Sequence, residues 1–143
     1  MKTAGYGFTV IELLAVIAIM SLFAAIAVPS YGMLKNNVTL QNETRELVDA
    51  IRIAQNRAIT AQDGVAQQGI RFVDATSYVL FGGTWTGTPH SLGGSVQVIS
   101  GAGTEVVFQK LTGKTNGATI VVGYPSGDQH TITIDTTGAT TIL

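Results

Sequence analysis

The sequence predicts an α+β chain: one long N-terminal helix packed on an antiparallel β-sheet of about six or seven strands. Three observations lead there. Phe8–Val28 is an apolar run of 21 residues interrupted by a single charge, Glu12. Leu40, Leu47, Ile51, Ala54 and Ala58 then recur at spacings of 7, 4, 3 and 4, the stripe of an amphipathic helix. After Val65 the period changes, and short β-prone runs alternate with turns rich in Gly, Thr, Ser and Asp.

Composition bounds the rest. The 143 residues suffice for one modest domain plus an anchor, and a net charge of −1 excludes a strongly basic nucleic-acid binder. Charged residues make up 12% of the chain, and Glu12 is the sole one between Thr3 and Met33. With no cysteine there is neither a disulfide framework nor thiolate chemistry.

As a helix, Phe8–Val28 would span about 31 Å at about 1.5 Å per residue, which matches the hydrocarbon core of a bilayer. Having no polar face, it must be buried by lipid or by other subunits. Lys2 and the initiator amine favour a cytoplasmic N-terminus. The helix is expected to run on to about Gln62, ending before Gly64. Val48 and Ile59 widen its apolar stripe, and Arg45, Glu46, Asp49, Arg52, Gln55 and Asn56 lie off it. Pro29 removes one backbone hydrogen bond and should kink the helix, with Gly32 a second weak point. Strands are expected at Gln68–Phe72, Ser77–Phe81, Val96–Ser100, Glu105–Leu111, Thr119–Tyr124, Thr131–Asp135 and Thr140–Leu143, with Gly82–Gly94 a loop.

Glu12 is the residue that needs explaining. A carboxylate at membrane depth is unfavourable by roughly 2.5–3.5 kcal/mol on insertion scales. Three readings of the segment compete. Ala25-Ile26-Ala27 fits a secretory signal peptidase site, but the apolar run exceeds the usual h-region and would hold Glu12 inside it. A plain membrane anchor leaves Glu12 an accident. The third reading starts from Gly7-Phe8-Thr9-Val10-Ile11-Glu12-Leu13-Leu14 and the later Pro29. This junction resembles the leader junction of the type IV pilin and type II secretion pseudopilin family, in which a short leader ends in Gly before Phe, with Glu five residues into the mature chain.

The resemblance covers about the first 30 residues and implies a processing route. Residues 1–7 would be the prepilin leader, 8–28 the transmembrane and filament-core helix, 29–62 the amphipathic half, and 65–143 the globular β domain. A prepilin peptidase would cut between Gly7 and Phe8 and N-methylate the new Phe8 amine. Glu12 would neutralise the Phe8 amine of a neighbouring subunit and so set the axial register of assembly. An unpaired buried charge is strongly penalised, which makes such a contact selective. The resemblance also implies a pilin fold whose helix loosens on assembly near Pro29 and Gly32. Its partners would be other pilin or pseudopilin subunits, an assembly platform protein, and membrane lipid before assembly. The location implied is the bacterial inner membrane, crossed once, with the N-terminus cytoplasmic and the β domain periplasmic or outside. Leu47–Ile59, Val107-Phe108, Gly113, Ile132-Thr133-Ile134 and Gly138 look like the GspH/FimT-like minor (pseudo)pilins in particular.

The residues offer little chemistry, and neither catalysis nor a cofactor is expected. Ser126, Asp128 and His130 stand two apart in a turn and cannot form a relay by local geometry. His90 and His130 are the only imidazoles, and neither has a second ligand at metal spacing, so no metal site is expected. Gly113-Lys114-Thr115 lacks the upstream glycine of a phosphate loop, since Phe108 stands there. Some FimT-like pilins bind DNA during natural transformation, which leaves a DNA-binding minor pilin as the alternative function. Arg71, Lys110 and Lys114 would then cluster on one sheet face with Trp85 for stacking, a weak and salt-sensitive contact.

Overall fold

The computed structural model describes residues 7–61, 64, 67–83 and 85–143, without the side chains of 27–30 and 85. The leader residues before Gly7, Gln62 and the Trp85 side chain therefore lie outside the described residues, while the helix assignment runs through Pro29, whose side chain is likewise not described. The chain divides into two compact units, Met1–Asn36 and Asn37–Leu143. Helix α1 is assigned over Val10–Ile59, 50 residues, and so contributes to both.

In the first unit Phe8, Ile11, Leu14, Ile17, Leu22 and Phe23 are all exposed. This segment is long and apolar enough to cross a membrane, by length and composition. Gly32 continues the helix and would leave open space around an added Cβ, so close packing does not require glycine there.

The second unit is an α+β domain with two antiparallel sheets where one was expected. The first contains β1 (Gln67–Phe72), β2 (Ser77–Gly82), β3 (Trp85–Thr86), β4 (His90–Ser91) and β6 (Glu105–Gln109). Its order is β3-β2-β1-β6, and β4 also pairs with β2. The second sheet, in the order β5-β7-β8-β9, contains β5 (Gln97–Ser100), β7 (Ala118–Gly123), β8 (Gln129–Ile134) and β9 (Thr140–Ile142). All seven expected strands are present within a residue or two. The Gly82–Gly94 stretch is not wholly loop, because β3 and β4, two residues each, both pair onto β2. Alternation reveals strands but not their partners, and here the chain changes sheet three times, after β4, after β5 and after β6.

One core joins the layers. Leu40, Leu47, Ile51, Ala54 and Ala58 are all buried, as the helical stripe requires. They meet every second residue of the strands: Ile70 and Phe72 in β1, Val106 and Phe108 in β6, Ile120 and Val122 in β7, and Ile132 and Ile134 in β8. Val48 is buried with them, whereas Ile59 is 41% exposed and lies at the margin. The helix stops short of the expected Gln62 because Ala61 turns to a left-handed φ of 51°. The freed Ala58 carbonyl accepts from the Leu111 N–H at 2.9 Å and from the Ala61 N–H at 3.2 Å. Turns are closed by aspartates. Asp74 Oδ1 accepts from the Thr76 N–H at 2.7 Å and the Thr76 hydroxyl at 2.9 Å. Asp135 Oδ1 does the same with Thr137 and adds the Ala139 N–H. The Thr137 hydroxyl bond is the main reason its carboxyl stays below the usual aspartate range.

Candidate functional site

At the N-terminus, Gly7 and Phe8 precede α1 and are exposed, so the junction is accessible as drawn. Thr9 is the N-cap. Its N–H and its hydroxyl both donate to Glu12 Oε2, each at 3.0 Å, and the Glu12 N–H donates to Thr9 Oγ1 at 3.3 Å. This reciprocal pair is a capping box: Thr at the cap and Glu three residues on satisfy the orphan N–H groups of the first turn. Glu12 therefore has a local role that the reading of the leader passed over. The signature Thr-x-x-Glu before an apolar run was present in the sequence. Glu12 also lies four residues after Phe8 in the sequence, but Phe8 precedes α1, so helical i,i+4 spacing does not set its distance from an amine at Phe8.

The proposed DNA contacts do not form one patch. The Arg71 Nε donates to Glu105 Oε1 at 2.6 Å, and its guanidinium lies 5.2 Å from the Phe81 ring centre. Its charge is thereby matched by Glu105. In the β1–β6 ladder Arg71 opposes Glu105 while Gln67 opposes Gln109. Lys110 follows Gln109, which puts it five residues, roughly 17 Å, along the ladder from the Arg71–Glu105 pair. The Lys110 ammonium donates to the Gly64 carbonyl at 3.2 Å. Lys114 shares that end of the ladder, since its carbonyl accepts from the Gln109 N–H at 2.8 Å. Two lysines remain together, and two phosphate contacts give weak binding.

Ser126, Asp128 and His130 lie on the β7–β8 turn and the start of β8. Among the described residues no side-chain hydrogen bond joins the three.

His90 is the residue whose surroundings sequence spacing could not reveal. Pairing of β4 with β2 sets His90 opposite Tyr78, and their rings are 5.1 Å apart. From α1, Glu46 brings Oε1 to 3.2 Å from His90 Nε2. Glu43, one helical turn earlier, completes a set in which one ligand atom from each residue lies within 4.8 Å of the other two. Glu46 and His90 also line a groove of about 340 Å³ with Asp49, Ile53, Tyr78 and Leu80. Burial, reinforced by the charges of Glu46 and Glu43, pushes the Tyr78 phenol up to about 12. Forty-four residues separate Glu46 from His90, and only the fold brings them together.

Comparison with protein-family models, with curated proteins and with solved structures finds no match to this chain.

Proposed function

We propose that this chain is a non-enzymatic structural subunit of a type IV pilus or type II secretion pseudopilus, assembled through its N-terminal helix. The observation that carries this reading is the pairing of an exposed apolar helical segment with a single carboxylate, Glu12, four residues after the Gly7-Phe8 junction. Exposed apolar surface of this extent calls for lipid or for neighbouring copies. In the membrane the segment is an anchor, with the N-terminus cytoplasmic and the β domain on the far side. After cleavage, subunits pack these helices together, and each Glu12 meets the Phe8 amine of a neighbour. Burial of the apolar face drives the packing, and the charge pair rejects registers in which it is broken.

The test compares the protein from cells with and without a prepilin peptidase, read by mass spectrometry of the N-terminus. The expected product begins at methylated Phe8 and appears only with the peptidase. A product beginning at Val28 would establish a secretory signal instead. Glu12→Gln then isolates the register role, because Gln at this position still completes a capping box while carrying no charge. Processing should be unchanged and incorporation into filaments should fall. Normal incorporation would restrict Glu12 to capping its own helix.

A further inference from the structure

We infer that Glu43, Glu46 and His90 form a binding site for a divalent cation of the zinc class, which would tie β4 to the α1 segment of the same unit. Two carboxylates one turn apart on a helix surface are ordinary. Two further features set this cluster apart. The third group is an imidazole supplied by a different element, and its Nε2 is directed at Glu46 Oε1, 3.2 Å away. In addition, Glu43 Oε2 is buried and has no hydrogen-bond partner. Buried carboxylate oxygens are rarely left without a donor, and a bound cation would satisfy this one.

Among the described residues no lysine or arginine forms an ion pair with Glu43 or Glu46, and the one ion pair at this cluster is His90–Glu46. Glu43 is also restricted in where it can go. A Cβ on Gly93 would come within 2.7 Å of Glu43 Oε1, so the backbone before β5 closes over this carboxylate. Any larger residue at Gly93 would displace it.

The geometry suits a small ion. At zinc–ligand distances of about 2.0–2.1 Å, tetrahedral ligands stand about 3.4 Å apart. Reaching that value from the present limit of 4.8 Å requires rotation of Glu46 and His90, whose side chains are 55% and 44% exposed and so have room to move. Three protein ligands would leave a fourth position for water. An imidazole with two carboxylates favours zinc or a neighbouring transition ion over calcium and magnesium, which prefer all-oxygen sets of higher coordination number. The ion would hold the segment between β2 and β5 on the helix, where the two-residue strands β3 and β4 provide few ladder bonds of their own.

The test titrates the full chain in detergent micelles with zinc chloride by calorimetry, with calcium chloride in parallel. One zinc per chain is expected, with a raised unfolding temperature. His90→Ala and Glu43→Gln should each weaken binding on the order of tenfold or more, and His130→Ala should leave it unchanged. Circular dichroism would check that each variant is folded, and the exposure of His90 makes its variant the safer one. Absence of zinc uptake, uptake that His90→Ala does not weaken, or preference for calcium would overturn the assignment.

Discussion

Tyr78 makes the domain sensitive to alkali in a way that can be calculated. The residue is 4% exposed, and burial together with the charges of Glu46 and Glu43 moves the phenol from 10.0 to about 12. The folded state thus holds its proton at pH values where the unfolded chain has released it. Stability from this group is fully present below pH 10 and is lost as pH rises towards 12, because ionisation then favours the unfolded chain. At about 1.36 kcal/mol per pH unit, the interval corresponds to roughly 2.7 kcal/mol. That is a large share of the ~5–15 kcal/mol by which domains are usually stable. The assay is denaturant unfolding of the full chain in micelles at a series of pH values from 8 to 12 (about neutral to fully alkaline for a phenol), in the wild type and in Tyr78→Phe. Other titrating groups are shared, so the difference between the two curves isolates Tyr78. It should be flat below pH 10 and then change by about 2–3 kcal/mol. Parallel curves across the whole range would refute the argument, since they would mean that the phenol reaches solvent in the native state.

Two further perturbations probe the core and the turn after β6. Phe108→Ala removes the largest side chain that β6 buries and should destabilise the domain by about 3–5 kcal/mol in the same unfolding assay. A loss below about 1 kcal/mol would mean that the two sheets close over the gap. Leu111 has a left-handed φ of 65° and a side chain 68% exposed, so its backbone strain is not repaid by burial. Leu111→Gly should therefore raise stability by about 0.5–1 kcal/mol, net of the greater chain entropy of glycine. A fall in stability would show that the leucine packs against a surface that matters.

Much of the fold is legible in the chain because its signals are local. The 3.6-residue stripe from Leu40 to Ala58 marks the buried helix face, and all five residues are buried. Alternation marks seven strands, since a side chain's face in a strand follows from its position alone. The short strands β3 and β4 escaped because two residues cannot display a period. The helix end shifted because Ala61 takes a left-handed conformation usually left to glycine, and no residue-type rule marks it.

Function divides in the same way. The apolar run, the single carboxylate and the Gly7-Phe8 junction are contiguous, so the sequence by itself determined the pilin-like expectation and also held the Thr9–Glu12 capping signature. Tertiary structure alone decided what required distant residues to meet. It matched Arg71 with Glu105, separated Arg71 from Lys110, divided the strands between two sheets, and brought His90 to Glu43 and Glu46. The physical reason is that strand pairing and ion contacts depend on which surfaces the core presses together, and sequence spacing carries no record of those distances.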